Sequence, residues 1–415
     1  RTRRGKVCTM PPKKAAVPEK RVLLGRPTNN VKAGLVGMPN VGKSTTFNLM
    51  CNMSVAAENF PFCTIDPTEA RVEVPDPRFT TLVEKWVPKS VIPAYLQVMD
   101  IAGLVKGASS GEGLGNAFLS HIAATDAIFH IIRVFEETDE GDMAIHVEGD
   151  VDPVRDLEII SKELRLKDIA AVEKVIDPLA KEVGRDGKAK DKKDRLEITQ
   201  KVLKVLKEDD KDIRFESWNA KETDVINDLH LLTAKPALYL VNMSEKDFIR
   251  KKNKWLAKLK AWIDENRPGE KMIPYSAGLE AKLFDMGSDE ERAAYLEEKK
   301  IEGVPPPQSQ MSKLIKEGYH TLQLVHFFTC GHDEVRAWTI REGWKAPQAA
   351  GTIHTDFERG FIKAETYNYE DWIVAEMDVE GVKKAGKYKT EGKEYVVKDG
   401  DIIFFKFNVT AEKKK

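Results

Sequence analysis

The eight residues Gly37-Met38-Pro39-Asn40-Val41-Gly42-Lys43-Ser44 match the pattern GxxxxGK[ST]. Their chemistry is that of a phosphate cradle. Glycines let backbone N–H groups wrap an anion, Lys43 neutralises β- and γ-phosphate charge, and Ser44 offers an oxygen ligand to Mg²⁺. The run follows an apolar stretch, Lys32 to Val36, and opens a helical one, so a helix N-terminus adds its dipole. That strand-to-helix setting favours a phosphate site over a mere Gly-rich turn. Asn40, Val41, Gly42, Lys43, Ser44 and Thr45 are the expected contacts.

Downstream, Asp100-Ile101-Ala102-Gly103 ends another buried-type strand and fits DxxG. Such an Asp binds Mg²⁺ through water, and the Gly103 amide senses the γ-phosphate. Between the two motifs, Asn59-Phe60-Pro61-Phe62-Cys63-Thr64 holds a threonine that can complete Mg²⁺ coordination. The predicted metal ligands are therefore Ser44, Thr64 and Asp100. Lys106 and the run Gly107 to Gly115 follow DxxG, where a second nucleotide-sensing loop is expected.

Together these pieces resemble the translation-factor-related GTPases, in which an NKxD motif and a later SAK-like loop read the base. Here the corresponding residues are Asn242-Met243-Ser244-Glu245 and Tyr275-Ser276-Ala277-Gly278. In NKxD the aspartate accepts from guanine N1–H and the exocyclic amine. Glu245 lengthens that arm by a methylene, and Met243 removes a cation from beside the base. Adenine instead needs an acceptor for its N6 amine, which backbone carbonyls and the Asn242 amide can meet. The sequence thus favours ATP with GTP tolerated, through Asn242, Met243, Glu245, Ser276 and Ala277.

The elements that must position these residues are legible in the pattern. Short apolar runs at Lys32 to Val36, Arg71 to Val74, Ala94 to Met99, Ala127 to Val134, Ala237 to Val241 and Met272 to Pro274 alternate with helical stretches. This predicts an α/β fold with a doubly wound sheet. Asp152 to Lys211 has apolar residues three or four apart, broken between Gly184 and Asp194, and reads as a helical hairpin inserted into that domain. Strand-like runs at Leu322 to Phe328, Glu334 to Ile340, Phe361 to Thr366 and Ile402 to Val409, with a helical candidate at Ala349 to Phe357, predict a compact α+β module.

Composition bounds the rest. The 415 residues suggest about three domains, 41% hydrophobic content excludes a disordered chain, and 66 basic against 67 acidic residues excludes a histone-like field. Cys8, Cys51, Cys63 and Cys330 form no CxxC pair, so reduced thiols are expected rather than a zinc ribbon or a disulfide framework. No apolar run is long enough for a membrane span, and the N-terminus lacks a secretory pattern, so a cytosolic protein is expected. Arg1 to Thr9 precede a plausible start at Met10 and are read as vector-derived.

The motifs above, with Leu104-Val105-Lys106-Gly107-Ala108 and Ala346-Pro347-Gln348-Ala349-Ala350-Gly351, closely resemble the YchF subfamily of Obg-like ATPases. The resemblance implies a P-loop nucleotide-binding domain in two parts (31–150 and 216–320), a coiled-coil arm (151–215) and a β-grasp module of the TGS type (321–409), between basic tails at 1–30 and 410–415. It implies ATP use with residual GTP use, and association with ribosomes or ribosomal RNA. Arg336, Trp338, Arg341, Lys345, Arg359, Lys363 and Tyr367 give the module basic and aromatic groups suited to RNA, although a protein-binding or merely packed module fits equally.

Leu104 stands where Ras-like proteins carry the water-orienting glutamine, so catalysis must be completed from elsewhere. Three sources are open. Asn40 occupies the position that binds K⁺ in cation-dependent relatives, His146 matches a family position proposed to orient water, and a regulatory protein partner could supply or order the missing group. Two function classes follow: an ATPase switch, slow alone, whose nucleotide state controls docking on ribosomes or a regulatory protein, or a nucleotide-gated RNA- or protein-binding regulator, open to GTP as its ligand, whose hydrolysis is incidental.

Overall fold

The computed structural model describes residues 24–25, 31–57, 64–66, 69–101, 103, 107, 120–137, 146–185 and 190–408, leaving aside the side chains of 52–57 and 64–66. The first eight strands are β1 (Lys32–Val36), β2 (Thr64–Asp66), β3 (Glu69–Glu73), β4 (Ser90–Ile92), β5 (Tyr95–Asp100), β6 (Ala127–Arg133), β7 (Ala237–Asn242) and β8 (Lys271–Tyr275). Seven of them form one sheet in the order β2-β3-β5-β1-β6-β7-β8. β5, β1, β6, β7 and β8 are parallel, and the all-buried patterns of β6 and β7 match their near-continuous apolar sequences. The edge departs from expectation: β2 and β3 pair antiparallel, and β3 is antiparallel to β5. Two residues between β2 and β3 are too few for a parallel crossover.

Helix α1 (Lys43–Ala57) leaves the end of β1, and α2 (Pro77–Trp86) is capped by Asp76, whose side chain accepts from the Arg78 N–H. The insertion is two long helices, α3 (Pro153–Arg185) and α4 (Lys190–Lys207), packed on one another. With 33 residues, α3 runs about 50 Å. The anticipated break is shorter than its polarity suggested, because α3 passes through Gly184 and α4 begins at Lys190. Lys and Arg are good helix formers when solvated, so a polar run alone does not end a helix. The arm is rooted by Val172, Val202, Val205 and Leu206 packing on Ile213 and Ile226. Beside them Asp212 receives Arg214 at 3.0 Å and Arg267 at 3.3 Å.

The second sheet uses β9 (Leu324–Cys330), β10 (Glu334–Arg341), β11 (Phe361–Asn368), β12 (Lys389–Glu391) and β13 (Asp401–Phe407), ordered β12-β11-β13-β9-β10-β4. β13 runs parallel to β9 and antiparallel to β11, and the β9–β10 and β11–β12 pairs are antiparallel, which is a β-grasp arrangement. Two short helices, Ala346–Gly351 and Thr355–Arg359, stand where one was expected. β13 ends at Phe407, and the predicted end at Val409 lies outside the described residues. β4 joins this sheet parallel to β10, so a strand of the nucleotide domain extends the β-grasp and ties the two together. No helix among the described residues is long and apolar enough to cross a membrane.

Candidate functional site

In an open parallel sheet, ligands bind beyond the carboxyl ends of the strands. The loop after β1, Asp100 ending β5, Asn242 ending β7 and Ser276 after β8 all lie at that edge. The loop's shape depends on its glycines: a Cβ on Gly37 would sit 2.5 Å from the Ile131 carbonyl oxygen, and Gly42 has φ +93° with Asn242 Nδ2 2.5 Å from its would-be Cβ. Asn40, exposed and at φ +59°, has its carbonyl held by Arg133 Nη1 at 3.2 Å. Ser44 and Thr45 are exposed on the first turn of α1, while Val41 is buried.

Lys43 is 8% exposed, and its Nζ donates to the Met38 carbonyl at 2.7 Å. Burial pulls its ammonium down to about 8, against the opposing pull of Asp100. The Ser44 hydroxyl donates to Asp100 Oδ2 at 2.8 Å, and Asp100 Oδ1 is buried without a hydrogen-bond partner among the described residues. A hydroxyl beside a carboxylate with one oxygen uncommitted is the hard-oxygen donor set that Mg²⁺ takes, so these residues fit the ion. Thr64 begins β2, with its side chain outside the described residues. Asn59 to Cys63, Leu104 to Lys106 and Ala108 to Gly115 also lie outside them. Gly103 abuts the phosphate loop, since a Cβ there would meet Pro39 at 3.0 Å.

The residues expected to read the base are drawn together. Asn242 is 3% exposed; its Nδ2 donates to the Val41 carbonyl at 3.0 Å and its Oδ1 accepts from Ala277 N–H at 3.0 Å. It therefore ties the phosphate loop to the loop after β8. Met243 is buried, its N–H bonded to the Tyr275 carbonyl. Ser276 caps the next helix by accepting from Leu279 N–H, and the Tyr275 hydroxyl lies 2.6 Å from that of Thr46. Glu245 is held on both oxygens, by Lys282 Nζ and the Tyr295 hydroxyl, each at 2.5 Å. Burial raises its carboxyl, but these two partners outweigh burial and hold it below its ordinary value.

His146 is buried with both ring nitrogens engaged. Nε2 lies 2.9 Å from Asp156 Oδ2, and Nδ1 accepts from Glu148 N–H at 3.2 Å. Burial raises the Asp156 carboxyl, opposed by its histidine partner. Three residues that sequence reasoning missed link this corner to the site: Asp156 on α3, the fully buried Arg133, and Glu163 on α3, which accepts from Gly107 N–H at 2.8 Å. A lone arginine ending the apolar run of β6 was the one available signal.

Residues 32–243 match a family model described as a 50S ribosome-binding GTPase, and residues 324–408 match the C-terminal domain of YchF GTPases, described as a protein of unknown function. Obg-like ATPase 1 from Xenopus laevis and from Homo sapiens are each 54% identical over 408 residues, 98% of this chain and 100% of theirs. The structure of the Schizosaccharomyces pombe YchF GTPase superposes with a TM-score of 0.82 at 50% identity, covering 93% of this chain and 100% of that one.

Proposed function

The chain belongs to the YchF family of Obg-like P-loop nucleotide hydrolases, and from that premise we propose that it is a Mg²⁺-dependent ATPase that tolerates GTP and acts as a nucleotide-dependent switch in the cytosol. The observation that carries the choice of base is Glu245. Both of its oxygens are engaged by Lys282 and Tyr295, so the carboxylate that would accept from guanine is already committed. A titration of labelled ATP and GTP side by side tests this, with ATP expected to bind at least about tenfold tighter. A strong preference for GTP overturns it. Releasing Glu245 with Lys282→Ala and Tyr295→Phe together should raise GTP affinity about tenfold and leave ATP affinity within about threefold.

In hydrolysis, loop amides and Lys43 would hold the β- and γ-phosphates, and the Gly103 amide would meet the γ-phosphate. Ser44, Asp100 and Thr64 would hold Mg²⁺. Bound there, the ion supplies charge neutralisation on the phosphate oxygens. K⁺ at Asn40 would add a second positive charge, for which the loop's exposed, left-handed Asn40 and its anchored carbonyl give support.

His146 is the water-orienting group in this reading, released from Asp156 when a partner docks. With both nitrogens engaged, it contributes nothing to the resting rate. His146→Ala is therefore expected to leave basal turnover unchanged and to remove about 10²-fold from partner-stimulated turnover. It should also cost roughly 1–3 kcal/mol of stability, because Asp156 loses its partner while still buried. Phosphate release with and without purified ribosomes, beside a melting curve, checks both parts. Full stimulated turnover would leave the histidine a packing residue only. Ribosomes or ribosomal RNA are the proposed partner, supported by the description of the matching family model and by an arm whose first helix touches Gly107 through Glu163.

A further inference from the structure

A second concave site lies between the two sheets, well away from the phosphate loop. It opens where β4 parts from β10: Arg336 is the last residue of β10 registered on β4, opposite Ile92, and Pro93 then turns the chain into β5. Its floor includes Tyr95 and Gln97 of β5, with Arg71 of β3 opposite Gln97. Gln97 and Tyr95 lie three and five residues before Asp100 on the same strand, so about 10 to 16 Å of β5 separate the groove floor from the Mg²⁺ ligands. The cavity measures about 290 Å³, at the lower end of small-molecule pockets.

The lining has a specific chemistry. Its charged side chains among the described residues are both arginines, Arg71 and Arg336, and neither forms an ion pair with a described residue. Arg336 lies with its guanidinium carbon 3.7 Å from the centroid of the Trp338 ring. That ring is fixed by its neighbours on β9. Its Nε1 donates to the Thr329 hydroxyl at 2.9 Å, and it lies nearly parallel to the buried Phe327 beside it, with centroids 6.4 Å apart at an interplanar angle of 14°. The indole is thus braced by the β-grasp core and carries the guanidinium on its face. A guanidinium seated over an indole keeps N–H groups for a phosphate and its outer face for a planar partner. Arg71, exposed on the opposite wall, adds a second cation without a carboxylate in the lining to neutralise it.

We infer that this groove binds one nucleotide unit, a planar base stacked on the Arg336 guanidinium that Trp338 supports, with its phosphate between Arg336 and Arg71. The unit could be a free mononucleotide or part of a single-stranded RNA, and the two sources are separable. The RNA source rests on the ribosomal RNA reading above, and the site itself goes beyond the hydrolase: ATP turnover by the parent chain reports the phosphate loop, whereas binding to the full chain carrying Lys43→Ala reports the groove, so each can fail alone.

In that Lys43→Ala background, the probes are UMP, followed by calorimetry, and a fluorescein-labelled twelve-residue oligouridylate, followed by anisotropy. Arg336→Gln and Arg71→Gln should each weaken the bound probe about 5- to 20-fold and flatten the slope of the salt dependence by roughly 0.7 for each phosphate no longer neutralised. Trp338→Phe keeps a ring and should stay within about threefold, while Trp338→Leu should resemble the arginine variants. UMP binding that Arg336→Gln removes identifies a free nucleotide as the ligand; oligouridylate binding alone that it removes identifies RNA. Because Arg71 is exposed and outside the stack, its variant keeps the test intact should Arg336→Gln disturb packing. Probe affinities unchanged by both arginine variants, with melting as in the parent, overturn the site.

Discussion

Replacing Lys43 by alanine should leave the free chain at least as stable as the parent and reduce turnover by on the order of 10³-fold. The two halves of that expectation share one cause. In the free chain the ammonium is 8% exposed, bonded to one carbonyl, and pulled by burial to about 8, so it is an inadequately solvated cation awaiting a counter-charge. The phosphates are that counter-charge. Removing the lysine takes away a cost in the free state and the main neutralising group in the bound state. The sign with pH follows: between about 8 and 10.5 the unfolded chain binds the proton that folded Lys43 has lost, so the parent gains stability as pH rises through that window. The variant should lack that gain. Saturating Mg·ATP, at about 100 times the dissociation constant, should stabilise the parent by about 2.7 kcal/mol and the variant hardly at all. Melting with and without Mg·ATP, beside phosphate release, measures all of this. A free variant that unfolds readily, or one that hydrolyses within tenfold of the parent, would refute the argument.

The parts of the site readable in advance are those whose chemistry is contiguous. Gly37 to Ser44 is one loop between a strand and a helix, and Asp100 and Asn242 each end a run of apolar residues, so position along the sheet followed from position in the sequence. What could not be read is choice of partner across elements. Glu245 was recognisable as a departure from the guanine-reading aspartate, yet its capture by Lys282 and Tyr295, 37 and 50 residues away, depends on how two later helices pack. His146 was a candidate by position, and only the fold reveals Asp156 on its Nε2. The three-residue β4 carries too little pattern to identify as a strand, and nothing in it signals that it joins β10 some 240 residues later rather than its neighbours. Long-range ion pairs and short edge strands are decided by packing, which periodicity does not encode.

Asn242 is where the legible and the hidden meet, and its removal should have the broadest effect. Read from the sequence it is a base contact; in the fold its amide is spent on Val41 and Ala277, beside a Gly42 backbone that approaches within 2.5 Å of Nδ2 at the would-be Cβ. Asn242→Ala would leave the buried Val41 carbonyl and Ala277 N–H without that partner, at roughly 1–3 kcal/mol for each group. The phosphate loop would lose its brace, so ATP and GTP affinities should fall together, by about 100-fold or more. Asn242→Asp separates the two ends of the amide. It keeps an acceptor for Ala277 but sets a carboxylate oxygen against the Val41 carbonyl, close to where phosphate charge must gather, so it should bind nucleotide no better than the alanine variant. Inorganic tripolyphosphate, which has no base, distinguishes bracing from reading. If Asn242 holds the loop, both variants should lose tripolyphosphate as they lose ATP. If it only reads the base, tripolyphosphate binding would survive, ATP and GTP would be affected unequally, and the bracing account would be wrong.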